Sequence, residues 1–227
     1  MALNNTNDIT RSRPVARMNH GSTMLPQWVL NILRPFVLLI CRLFWDVRYR
    51  GLENVPATGG VIIAGNHQTY LDPFWLSAPI TRPIRFLAWN EALAWPIIGK
   101  LMRLLGAWPL QLEGSDPAAI RKSLHWLRSE GAVVIFPEGG RGKEDGSMGR
   151  FKSGAVRIAL EAGVPILPVT IRGGNRVWPV GRRLPRLGKV EVVFHPLHEL
   201  NPLPDEDTRE YARKESTKLA KIIGSAL

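Results

Sequence analysis

A single cysteine, Cys41, stands among the 227 residues. It excludes an internal disulfide framework and a cysteine-rich zinc site, and it fits a reducing compartment. Negative charge is also scarce: 19 Asp and Glu face 30 Lys and Arg, a net charge of +11. That deficit points to an anionic partner, whether nucleic acid, membrane headgroups or a phosphorylated substrate. A nucleic-acid-binding module with stacking aromatics is missing, so nucleic acid is not expected; a solvated basic face is the plain alternative. Internal repeats and low-complexity linkers are missing as well. No run of about 20 nearly charge-free residues occurs, and no small-residue cleavage site follows the apolar stretch, so neither a clear transmembrane span nor a signal peptide is expected. What remains is ordinary globular composition, 45% hydrophobic, with length for one full domain plus an appendage.

The basic excess is uneven. Residues 1–50 hold seven Arg, no Lys, and only Asp8 and Asp46. A second block, Arg141 to Lys189, has eleven basic residues against Glu144, Asp145 and Glu161. Residues 1–22 read as a disordered basic arm. Residues 23–50 read as amphipathic helices at a membrane interface, and 51–227 as the main domain. At about 100° per residue, Gln27, Asn31, Arg34 and Arg42 share an arc of roughly 80°, interrupted by Leu38. Trp, Leu, Ile, Phe and Val fill the rest of the circumference, which suits a helix lying in an interface with its Arg side chains at the headgroups. Pro35 is expected to kink it, dividing it into two helices. The alternative is a helix packed on the domain.

From about Arg50, short apolar runs alternate with helical patterns. Strands are expected at 60–65, 84–88, 106–110, 132–136, 166–172 and 190–195, and helices near 72–78, 91–105, 116–129, 153–162 and 206–223. Asp116-Pro117 starts a helix with an N-cap and a first-turn proline, while Gly131 and Gly163 are expected to stop two others. The alternation implies one α/β domain with a mixed, largely parallel central sheet flanked by helices.

Three segments carry chemistry. The strand Val61–Ala64 ends in Gly65-Asn66-His67-Gln68-Thr69-Tyr70-Leu71-Asp72-Pro73. A His at the carboxyl end of a buried strand sits where open α/β sheets place their ligand crevice. Asp72 is near enough to take its ring N–H, fix the tautomer and stabilise the imidazolium. Asp-Pro is equally an ordinary helix start. The strand Val133–Phe136 breaks at Pro137 into Glu138-Gly139-Gly140-Arg141-Gly142. Glycines let a phosphate approach and Arg141 offers forked donors, although a plain glycine-rich turn reads the same way. Phe151-Lys152-Ser153-Gly154-Ala155 opens a helix whose free N–H groups favour an anion; Lys152 adds charge there or is a solvated surface residue. Val164-Pro165 to Pro168-Val169 suits a strand edge and pocket wall, with structural support as its default.

Taken in order, these segments resemble the phospholipid/glycerol acyltransferases, typified by lysophosphatidic acid acyltransferases, from about Gly60 to Val169. Asn66-His67 to Asp72 is similar to the family's His-x4-Asp motif. Phe136-Pro137-Glu138-Gly139-Gly140-Arg141 is similar to its Phe-Pro-Glu-Gly-Thr-Arg motif, with Gly140 in place of Thr. Val164–Val169 is similar to its last motif. The second motif is similar to Gly106–Leu112, but Leu112 stands where the family carries an Arg that contacts the acceptor phosphate. Arg103, Arg172 and Arg176 are the candidates to compensate.

The resemblance implies a glycerol-3-phosphate acyltransferase-like fold. It also implies direct transfer from acyl-CoA or acyl carrier protein, as co-substrate, to the hydroxyl of a lysophospholipid, foremost 1-acylglycerol-3-phosphate. His67 and Asp72 would be catalytic; Asn66, Glu138, Gly139, Arg141 and Lys152 would bind substrate. A covalent acyl-enzyme is not expected, since no Gly-x-Ser-x-Gly elbow occurs. No metal or cofactor is expected, because Pro196 keeps His195 and His198 off one regular helical face. The expected location is the cytoplasmic face of a membrane, peripheral or monotopic, with the lipid surface as partner. A different lyso-lipid acceptor such as lyso-ornithine lipid, or a non-enzymatic basic membrane-binding protein, are the alternatives.

Overall fold

The most apolar strands lie at the centre of a seven-stranded sheet, in the order β1-β7-β6-β2-β5-β3-β4. These are β1 (Arg48–Arg50), β2 (Val61–Gly65), β3 (Ile84–Trp89), β4 (Ala107–Leu110), β5 (Ala132–Ile135), β6 (Ile166–Arg172) and β7 (Glu191–Phe194). All neighbours run parallel except β6 and β7, so the sheet is mixed and largely parallel. The computed structural model describes residues 24–89, 93, 94, 96, 98–111, 116–143 and 145–227. The expected arm at 1–22, Leu112, and much of the first half of the helix expected at 91–105 lie outside the described residues.

Helices cover both faces, which is why β2 reads as a continuous apolar run. Val61 and Ile63 point to one side with Trp75 and Leu76 of α2 (Asp72–Ser77) and Cys41 of α1 (Gln27–Trp45). Ile62 and Ala64 point to the other, against α4 (Pro117–Arg128), α5 (Gly154–Ala162) and α7 (Thr208–Gly224). The first face is bordered by α3 (Ile98–Leu104), and α6 (Gly174–Val177) follows β6. Ile62, Ile63, Trp75 and Leu76 are wholly buried, each stabilising the fold by about 1.5–3 kcal/mol.

Asp116 caps α4 by accepting from Ala119 N at 2.9 Å, and Asp207 caps α7 from Arg209 N and Glu210 N. Gly163 closes α5 at φ 68°. At the end of α4 the left-handed residue is Glu130, at φ 61°, rather than Gly131. Gly131 is needed for another reason: a Cβ there would lie 2.2 Å from the Trp126 indole nitrogen.

Two expectations for α1 are corrected. Pro35 sits inside one uninterrupted helix and does not divide it. Half of the polar arc, Gln27 and Arg34, also meets the protein, while Asn31 and Arg42 stay exposed. Arg34 donates to Ala78 O (3.1 Å) and Ile80 O (2.6 Å), and Gln27 donates to Thr81 O (2.7 Å). These side chains clip α1 to carbonyls at and beyond the end of α2, while Arg42 pairs with Asp46. Trp28, Ile32, Phe36, Leu39 and Leu43 are left exposed on the outer side. With 19 residues and a mean hydropathy of 1.6, α1 is long and apolar enough to cross a membrane.

Candidate active site

His67 leaves the carboxyl end of β2 and Asp72 is the first residue of α2, so strand and helix fix the two ends of a short loop. His67 Nδ1 lies 2.9 Å from Asp72 Oδ2. Asp72 is fully buried and acceptor-saturated: Oδ2 also accepts from Gln68 N (2.5 Å) and Thr69 N (2.7 Å), and Oδ1 from Thr69 Oγ1 (2.9 Å). A carboxylate so placed requires the proton on Nδ1, which leaves the Nε2 lone pair available. The imidazole stacks on Phe136 at 4.3 Å between centroids, and its side chain is 18% exposed. It is therefore held in one orientation while remaining partly exposed, as a proton acceptor needs.

The loop after β5 is tied to this histidine on both sides. Glu138 Oε1 accepts from His67 N at 2.8 Å, and Oε2 accepts from Gly149 N at 2.5 Å. Gly142 N donates to His67 O at 2.6 Å. Burial pushes the Glu138 carboxyl above the usual carboxylate range, against the pull of the Gly149 and His67 N–H groups. Glu138, expected to meet the acceptor, thus engages the backbone through both oxygens and serves the position of His67. Asn66 is likewise spoken for: buried, it donates to Ile171 O (2.8 Å) and accepts from Ile171 N (2.7 Å), pinning the loop to β6.

The positive charges expected at the site are Arg141 and Lys152. Arg141 stacks over Tyr70, 4.1 Å from the ring centroid, which brings it onto the His67–Asp72 loop. Lys152 is exposed and folds over Gly139, where a Cβ would meet its Nζ at 2.7 Å. Gly139 has φ 70°, which favours glycine there; the lysine itself could swing aside. The suggested substitutes for an Arg at 112, Arg103, Arg172 and Arg176, are all exposed, and Arg172 is paired with Glu191.

Several contributors were not singled out from the sequence. Phe136 carries no signal of its own beyond its motif, yet it is the face that His67 stacks on. Gln68 donates to Gly146 O (3.2 Å) and accepts from Asn175 N (3.3 Å), joining α6 to the site. Gly174 lets α6 approach, since a Cβ there would lie 3.3 Å from Asp72 Oδ1. The glycines at 142, 146, 149 and 174 were the available signal for close backbone approach. Among the described residues no group of three or more His, Cys, Asp or Glu side chains converges as metal ligands. His195 bonds Thr170 and His198 bonds Glu215. A shallow, open and mostly apolar cleft lies under α1, walled by Leu30, Val37, Ile84, Phe86 and, from α2, Phe74.

A model of the acyltransferase family matches residues 46–172, which include every residue placed around His67 except Gly174 and Asn175. The chain is 32% identical, over 68% of its length and 44% of the relative, to the 1-acyl-sn-glycerol-3-phosphate acyltransferase LPAT1, chloroplastic, of Arabidopsis thaliana. It thus spans less than half of that plant relative. It is 30% identical, over 71% of its length and 78% of the relative, to the Bacillus subtilis 1-acyl-sn-glycerol-3-phosphate acyltransferase. The crystal structure of the 1-acyl-sn-glycerophosphate (LPA) acyltransferase PlsC from Thermotoga maritima superimposes with a TM-score of 0.69 at 28% identity, covering 88% of this chain and 81% of that one. With the loops after β2 and β5 meeting at one histidine within the span that the family model matches, the chain belongs to the acyltransferase family.

Proposed function

We propose that the protein transfers a fatty acyl group from an acyl thioester, acyl-CoA or acyl carrier protein, to the free hydroxyl of a lysophospholipid. The acceptor that the named relatives favour is 1-acylglycerol-3-phosphate, giving phosphatidic acid. One observation carries the mechanism: a partly exposed imidazole held by a buried carboxylate at 2.9 Å. His67 Nε2 takes the acceptor's proton as its oxygen attacks the thioester carbonyl, and the imidazolium then protonates the departing thiolate. Such general-base help is typically worth about 10²–10⁴-fold. Arg141, stacked on Tyr70 of the His67–Asp72 loop, and Lys152 supply positive charge for the acceptor phosphate. The exposed apolar side of α1 favours work at a membrane, on the cytoplasmic face where both thioester donors reside.

The test is thioester consumption with one long-chain acyl-CoA and a panel of acceptors, for wild type and His67→Ala. Turnover with lysophosphatidic acid that the substitution abolishes is expected. Turnover only with another lyso-lipid, such as lyso-ornithine lipid, would move the acceptor, as Leu112 would favour. Function unaffected by His67→Ala would leave a basic membrane-binding protein instead.

A further inference from the structure

We propose that the loop from Trp178 to Gly188 is a second membrane-docking element, which seats on an anionic lipid surface beside α1. The inference rests on the reading of the acceptor as a membrane lipid, and it adds a surface to that reading. The segment is Trp-Pro-Val-Gly-Arg-Arg-Leu-Pro-Arg-Leu-Gly. Leu184 is 73% and Leu187 74% exposed, among the most exposed apolar side chains described, and Val180 is exposed beside them. Arg182, Arg183, Arg186 and Lys189 are exposed too, and no acidic residue occurs from Gly173 to Lys189. Leucines alternating with arginines match the two layers of a bilayer surface, hydrocarbon beneath phosphates. A purely aqueous basic loop has no use for the leucines.

The loop is built to hold these side chains outward. Trp178 Nε1 donates to Arg182 O (2.8 Å), and Arg186 N donates to Val177 O (2.8 Å). The loop is also continuous with the end of α1: Trp45 Nε1 donates to Arg186 O (3.1 Å), Gly188 N to Phe44 O (3.4 Å) and Val190 N to Trp45 O (3.0 Å). Phe44 and Leu43 are themselves exposed there. At its other end Trp178 meets Tyr70 edge-on at 5.5 Å, and Tyr70 lies under Arg141. Docking the loop therefore places the Arg141 side of the site against the lipid surface from which a lysophospholipid would come.

The test uses the full chain with an environment-sensitive fluorophore on Leu187→Cys, since Cys41 is buried, and the same label on Lys122→Cys of α4, across the sheet from α1. On phosphatidylcholine vesicles containing phosphatidylglycerol, the label at 187 should shift to the blue and be quenched by brominated acyl chains, while that at 122 should not. Leu184→Ser/Leu187→Ser should weaken vesicle binding about tenfold or more. A label at 187 that stays aqueous on vesicle-bound protein overturns the proposal. So does binding lost in Arg182→Gln/Arg183→Gln/Arg186→Gln but untouched in the leucine variant, which would mark the loop as a site for an acidic protein or nucleic acid. Neither result bears on acyl transfer, which the His67→Ala assay reads separately.

Discussion

At the residue scale, the work of Asp72 is spread over four donors, three of them on a single oxygen. Asp72→Asn puts an N–H2 against donors at one oxygen or the other. Under the proposed mechanism it would remove the negative charge that stabilises the imidazolium and free His67 to take the other tautomer. The expected outcome is a kcat lowered about 10²–10⁴-fold with KM changed far less, read from steady-state thioester release. A second histidine governs stability instead. Thr170 Oγ1 donates to Ile223 O (2.6 Å), so it accepts from His195 Nε2–H (2.8 Å), and burial holds His195 below the ordinary histidine value. The folded state therefore binds its proton less readily than the unfolded chain does. The contribution of this neutral ring is complete above about pH 6.5 and is lost as pH falls from there towards the lowered folded-state value. Urea midpoints should decline over that window, and His195→Gln should flatten the decline.

At the scale of elements, Gly131 shows how a residue read correctly as special had a different task. It sits beside the indole of Trp126, whose nitrogen donates to Ala132 O at 3.1 Å and so ties α4 to the first residue of β5. Gly131→Ala should displace the indole and break that tie, lowering stability by about 1–3 kcal/mol, a fall in Tm that calorimetry would detect. The central strands were legible because burial on both faces makes them uniformly apolar. β1 was not: Arg48-Tyr49-Arg50 is three residues at a sheet edge with two exposed arginines, and no apolar run announces it. The four residues of α6 are too few for any period. The His67–Asp72 pairing was legible from spacing and motif. The employment of Glu138 and Asn66 by backbone groups was not, because it depends on which loop the sheet order brings alongside. Arg34 was misread for a related reason: helical periodicity groups polar residues on one side but does not reveal whether carbonyls or headgroups await them.

At the scale of the molecule, the net charge of +11 and the exposed side of α1 act together. Each Lys or Arg near an anionic surface contributes about 1 kcal/mol, and salt screens it over roughly 10 Å at 0.1 M. Co-sedimentation with anionic vesicles should therefore be strong at low ionic strength and fall with added salt. Phe36→Ser/Leu43→Ser should remove the salt-resistant remainder. Full solubility without lipid affinity would contradict this. Helix α1 ends at Trp45 and β1 begins at Arg48, so Asp46 and Val47 are all that join them, with Asp46 N and Val47 N bonded back to the last turn. A link that short has no swivel in it. Whatever tilt the helix takes in a bilayer is handed directly to the sheet, and the height of His67 above the lipid becomes a fixed property of the chain.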